Sequence, residues 1–215
     1  MARIDDFEQA LELARKELAG KNPDHLAGFS GTVIRRGKEG NPSLSLRFLG
    51  RPIGISWPEL EIRIEDNGGS LAIQQQILIS HYLLGAWRSS GVKITGDWIA
   101  YREVPDGRFY LDAFLKRAKN PLVQAFGEEP ERLVELAKSR YEAGPFDQGD
   151  YSVIVHPLPL VPLALVLWRG DEEFRPDGNI LFDRSISSIL SAEDIAWLAG
   201  MVVYPLVGML RDSRA

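Results

Sequence analysis

The chain has 215 residues, 45% hydrophobic and 26% charged, with 25 Lys and Arg against 30 Asp and Glu. The net charge of −5 and pI near 5.3 argue against a nucleic-acid binder, which needs a basic stripe to neutralise phosphates. With no cysteine, disulfides, thiolate zinc sites, cysteine-held iron–sulfur clusters and a cysteine nucleophile are excluded.

At this length the chain is one domain of ordinary size, or two small ones, with a substantial core; it is read as a single domain over residues 1–215. Phe7, Leu11, Ala14 and Leu18 recur at helical spacing, with Ala10 on the same stripe, and predict a first helix. Asp5, Asp6 and Glu8 near its start and Arg15 and Lys16 nearer its end suit the helix dipole; Gly20 is the expected stop. The acidic, amphipathic run from Met1 to Gly20 is not a secretory signal. His25 falls in an expected polar loop.

From Gly31 to Glu65 the period changes to two. Leu44, Leu46 and Phe48, then Ile53, Ile55 and Trp57, then Leu60, Ile62 and Ile64 alternate with polar residues. Punctuation at Gly40-Asn41-Pro42, Gly50-Arg51-Pro52 and Trp57-Pro58 makes this an antiparallel meander with one covered face. The basic run Arg35-Arg36-Gly37-Lys38 reads as a solvated strand end. Leu71 to Ala86 predicts a strongly apolar helix after the turn signal Asn67-Gly68-Gly69.

Trp98 to Val104 and Arg108 to Tyr110 read as a hairpin around Pro105-Asp106-Gly107. Helices follow at Asp112 to Phe126, broken near Pro121, and at Pro130 to Tyr141, with Gly144 as stop. Tyr151 to His156 and Val161 to Trp168 are strands, the second apolar enough to be central or covered on both faces. Ser191-Ala192-Glu193-Asp194 opens a last helix with a capping-box-like pattern. Its apolar part, Ile195 to Leu210, falls short of the roughly 20 residues that span a bilayer. Pro205 also interrupts that run, so it reads as a buried helix of a soluble, cytoplasmic protein rather than a membrane anchor. The expected fold is α+β, a largely antiparallel sheet built from the N-terminal meander, the later hairpin and the later strands, with helices packed on it.

Three constellations are candidates for chemistry. The first is Trp168-Arg169-Gly170-Asp171-Glu172-Glu173-Phe174, three carboxylates between two aromatic residues at a strand end. If that stretch is extended, Asp171 and Glu173 point to one side and Glu172 to the other. The same-side pair is then a candidate for holding a hard metal ion or for splitting its pKa values. Asp183 joins them if Arg175-Pro176-Asp177-Gly178 turns the chain back. The plainer alternative is a solvated acidic loop.

The second is the helical face carrying Gln74, Ile77, Leu78, His81 and Gly85, with Tyr82 beside it. His81 is a candidate general base, metal ligand or axial ligand to a tetrapyrrole; the alternative is a histidine near a helix end, satisfied by a carbonyl. The third is a strand face shared by Trp98, Ala100 and Arg102, where Arg102 can clamp a carboxylate or phosphate beside an aromatic wall. A surface hairpin with an Arg–Glu pair is the alternative. Glycine-rich phosphate loops and a nucleophile elbow are absent.

These segments also carry a resemblance. Gln76 through Ala86, Gly96 through Glu103, Pro162 through Trp168, Asp171 through Phe174, Ile180 through Asp183 and Glu193-Asp194 resemble blocks of domain-of-unknown-function family 3786 of anaerobic bacteria and archaea. Some members look like fusions to a small four-cysteine iron–sulfur domain of the type seen in corrinoid proteins. The resemblance therefore implies an accessory role in anaerobic one-carbon or corrinoid metabolism, although this chain has no cysteine of its own.

Three functional readings result. One is a binding or accessory module with a pocket bounded by His81, Tyr82, Trp98, Arg102, Trp168 and the acids 171–173. It would hold a small molecule, such as a tetrapyrrole-like cofactor, or dock on a partner protein. Another is a metal-assisted or carboxylate acid–base hydrolase using Asp171, Glu173 and His81. The last is an interaction protein whose acidic patch meets a basic partner. The lack of a nucleophile–base pair favours the first, and no particular cofactor is indicated.

Overall fold

The computed structural model describes residues 4–37 and 41–214. Met1, Lys38 of the basic run and Gly40 of the first expected turn lie outside the described residues. Contacts divide the chain into two compact units. The first runs to Lys93 and takes in Leu158–Leu160 and Ser188–Leu190; the second comprises Ile94–Pro157, Val161–Ser187 and the chain from Ser191 onward. Each unit pairs helices with an antiparallel sheet, so the fold is α+β, as the sequence pattern predicts.

In the first unit the sheet follows chain order, β1 (Val33–Arg36), β2 (Pro42–Phe48), β3 (Arg51–Ser56) and β4 (Ile62–Ile64). The register aligns Leu44 with Ile55 and Ile62, and Leu46 with Ile53 and Ile64. All six are buried, which is the covered face that the alternation implies. Leu49 and Gly50 form the β2–β3 turn, both at positive φ, 51° and 76°, the conformation a tight two-residue hairpin needs.

The helices of this unit are α1 (Ile4–Ala19), α2 (Pro23–Ser30) and α3 (Ile73–Arg88). On α1, Leu11, Ala14 and Leu18 are buried. Helix α2 replaces the polar loop expected around His25. Its eight residues are too few for a clear period, and it depends on its caps: the Asn22 side chain accepts from the Asp24 and His25 amides, and Gly31 closes it at φ 65°. On α3, Gly85 is required by packing, because a Cβ there would stand 1.8 Å from the Ile189 carbonyl oxygen.

The second unit is built on a five-stranded sheet ordered β5-β9-β8-β7-β6. The strands are β5 (Trp98–Ala100), β6 (Gly144–Pro145), β7 (Tyr151–Leu158), β8 (Val161–Trp168) and β9 (Asp177–Asp183). Strand β8 is central and buried along its whole length except Trp168, which is why it is apolar throughout. The helices are α4 (Gly107–Phe114), α5 (Asn120–Phe126), α6 (Pro130–Tyr141) and α7 (Ala192–Asp212).

The hairpin expected around Pro105-Asp106-Gly107 does not form. Strand β5 stops at Ala100 and a 3-10 turn covers Tyr101–Glu103, while Arg108 to Tyr110 belong to α4. Two side chains account for the difference. The Glu103 carboxylate accepts the Ala100 amide at 2.8 Å. Tyr101 turns inward, stacks on Phe114 with ring centroids 4.2 Å apart, and donates its hydroxyl to the Ala192 carbonyl at 2.7 Å.

Proline also behaves differently from expectation. The helix does not break near Pro121: α4 continues into α5 through a π turn at Leu115–Lys119, where the Asn120 amide reaches back to the Leu115 carbonyl. The wider turn absorbs the missing N–H of Pro121. Helix α7 likewise runs through Pro205, with the Tyr141 hydroxyl donating to the Val202 carbonyl at 2.8 Å. By length and composition α7 would suffice to cross a membrane; in the second unit it buries Ile195, Leu198, Val202, Leu206 and Leu210. Helix α6 ends at Glu142, in the left-handed region at φ 55°, rather than at Gly144.

Two glycines give a direct test of the first unit. Gly85→Ala should destabilise it by about 3 kcal/mol or more, because backbone must move. Gly28→Ala, at an exposed position of α2 with nothing within 4 Å of the added Cβ, should stabilise by about 0.5–1 kcal/mol. Urea unfolding of the two variants measures both.

Candidate functional site

The acidic stretch lies where β8 ends and β9 begins, with Trp168 paired to Asp177. It is not extended. The Asp171 amide donates to the Phe174 carbonyl at 2.9 Å. Asp171 Oδ1 accepts from the Glu173 and Phe174 amides at 2.8 and 2.7 Å. An aspartate that can bond its own backbone favours such a turn over a strand. The expected same-side pairing of Asp171 and Glu173 therefore gives way to a turn that Asp171 closes from within, while Glu172 and Glu173 are exposed.

The Phe174 and Glu173 amides hold the Asp171 carboxyl below the usual carboxylate range. A catalytic acid needs the opposite shift. The turn borders an open cavity of about 680 Å³ that Gly127, Glu128 and Arg169 also line. Arg169 is committed: its amide donates to Asp150 at 2.8 Å and its guanidinium to Tyr151 at 3.0 Å and to Glu131. Trp168 is 41% exposed and Phe174 68%, so two aromatic surfaces flank the acids in solvent.

Asp183 does not join this group. The chain does double back, but the reversal occupies residues 169–176 and Asp183 lies at the far end of β9 from Asp177, roughly 20 Å along the strand. There its carboxylate is fully buried. It accepts the Thr95 amide and hydroxyl at 3.0 Å, the Gly96 amide at 2.6 Å and the Ser185 amide at 3.0 Å, together with the Ser185 hydroxyl. Burial pushes its pKa up, but the bonds from Ser185, Thr95 and Gly96 outweigh that and hold it below the ordinary value.

Trp98 pairs with Asp183 across β5 and β9. It is half-buried and packs edge-to-face on Phe146, with centroids 4.9 Å apart, over a cluster of Ala164, Val166 and Leu181. Arg102 is exposed on the 3-10 turn, so it does not continue the strand face of Trp98.

His81 and Tyr82 belong to the first unit. His81 is half-buried midway along α3, not near a helix end. Tyr82 is fully buried; its hydroxyl donates to the Ser30 carbonyl and accepts the Leu160 amide at 3.3 Å, and burial raises its pKa well above the phenol value. It is a core tyrosine. Among the described residues no group of three His, Asp or Glu side chains is arranged to hold a metal ion.

Sequence reasoning missed Thr95, Ser185 and Phe146. The available signal was a hydroxyl residue beside each end of an apolar strand, Thr95 before Trp98 and Ser185 after Asp183, which is where a buried carboxylate finds donors.

Asp183→Asn should cost about 3 kcal/mol at neutral pH, since an amide cannot accept every donor in the nest. The sign follows from the depressed folded-state pKa. Above the unfolded value, near 3.9, the stabilisation is fully present, and it is lost as pH falls through the folded value. The stability gap between wild type and variant should thus be constant from about pH 7 to 5 and shrink below about pH 4, as read by chemical denaturation.

No curated protein and no solved structure matches the chain. A family match covers residues 22–204, most of the chain, from the cap of α2 into α7. The chain belongs to the family described as Domain of unknown function (DUF3786).

Proposed function

We propose that this protein is a cytoplasmic binding or accessory module that docks on a partner protein through the β8–β9 loop. The observation that carries this reading is the pairing of exposed Trp168 and Phe174 with exposed acids on a loop held by the Asp171 turn. Glu128, Glu172 and Glu173 line the adjoining cavity, so the fitting partner has a basic surface with an apolar slot. Charge of this kind steers association and selects partners, and preorganisation by the turn lowers the ordering cost of binding. We assign the partner to the enzymes of anaerobic one-carbon or corrinoid metabolism, the setting that the family resemblance implies. A metal-assisted or carboxylate acid–base hydrolase has less support, because Asp171 is committed to its own backbone.

A Lys- and Arg-rich peptide containing one aromatic residue is a suitable probe, followed by amide NMR shifts. The expected shifts cluster at Glu128 and Arg169–Pro176. They fade as salt rises from about 0.1 to 1 M, and they vanish in the Glu172→Gln, Glu173→Gln, Phe174→Ala triple variant. Shifts spread over other acidic faces, or binding indifferent to salt, would overturn the docking reading.

A further inference from the structure

A second cavity, of about 360 Å³, opens in the first unit. Leu11, Ile62 and Ile73 give it aliphatic walls, and Arg15 and Gln76 bring polar groups to it. The charges around it do not balance. Arg63 and Glu61 pair with each other at 3.0 Å. Arg15 has no carboxylate partner among the described residues.

Arg15 is nevertheless positioned. Its Nη2 donates to Gln76 Oε1 at 2.9 Å, and Gln76 Nε2 donates to the Leu71 carbonyl at 2.9 Å. One amide side chain thus ties the guanidinium to the backbone ahead of α3 and fixes its plane. Its Nε is buried with no acceptor among the described residues. With Nε closed off, the donors that a cavity occupant can reach are those on the Nη atoms, one of which Gln76 already orients.

We propose that this cavity binds a small organic carboxylate, its head group on Arg15 and its short aliphatic body against Leu11, Ile62 and Ile73. The guanidinium fork holds a carboxylate bidentately, and the aliphatic walls favour a ligand with an apolar body over a bare tetrahedral oxyanion. The site is independent of the β8–β9 loop, so failure of one reading leaves the other standing.

Butyrate is the probe and inorganic phosphate the control, with the arginine Nε–Hε resonances followed by NMR. Butyrate should displace the Arg15 resonance saturably and leave those of Arg35 and Arg88, which sit in surface ion pairs, unmoved. Calorimetry on Arg15→Lys, which keeps the charge and loses the fork, should give an affinity weaker by roughly tenfold or more. The proposal is overturned if the Arg15 resonance does not move, if Arg35 and Arg88 move with it, if phosphate binds equally well, or if Arg15→Lys binds butyrate unchanged.

Discussion

A carboxylate taken fully out of water costs several kcal/mol unless its oxygens are filled. Asp183 is buried with three backbone amides and two hydroxyls directed at it. That arrangement ties the approach to β5 to the end of β9, so the β5–β9 pairing and the position of Trp98 depend on it. The same constraint explains why an acid inside an otherwise apolar block is structural here. Its neighbours satisfy the charge instead of exposing it to a substrate.

Much of the fold was legible because its pattern is local. The rows of Leu44, Ile55 and Ile62 and of Leu46, Ile53 and Ile64 follow from strict alternation, and β8 from an unbroken apolar run. Helix α7 opens at the capping serine, whose side chain accepts the Asp194 amide. What was not legible depends on single side chains reaching the backbone. Asn22 makes α2, Glu103 with Tyr101 cancels a hairpin, and a π turn carries a helix past Pro121. None of these leaves a period in the sequence.

For the site, the place was legible and the geometry was not. The sequence marked residues 168–174 as a run of acids between aromatics at a strand end, with a solvated loop as the plainer alternative, and there Trp168 and Phe174 are exposed. That Asp171 faces its own turn depends on two amide contacts that no spacing rule reveals. Tyr82, grouped with His81 by adjacency, belongs instead to the buried core of the first unit. In the sequence Arg15 is only a charge near a helix end, because a cavity and the burial of a single N–H are properties of packing.

The central claim is that the acids of the β8–β9 loop are a presented surface and not catalytic groups, with Asp171 as the residue that shapes the loop. The most direct measurement is the titration of the Asp171 side-chain carboxyl followed by carbon NMR. Its amide partners predict a midpoint below the ordinary aspartate value, which is about 3.9. A midpoint displaced upward, to about 5 or beyond, would mean a desolvated or crowded acid and would return the loop to the reading of an active site.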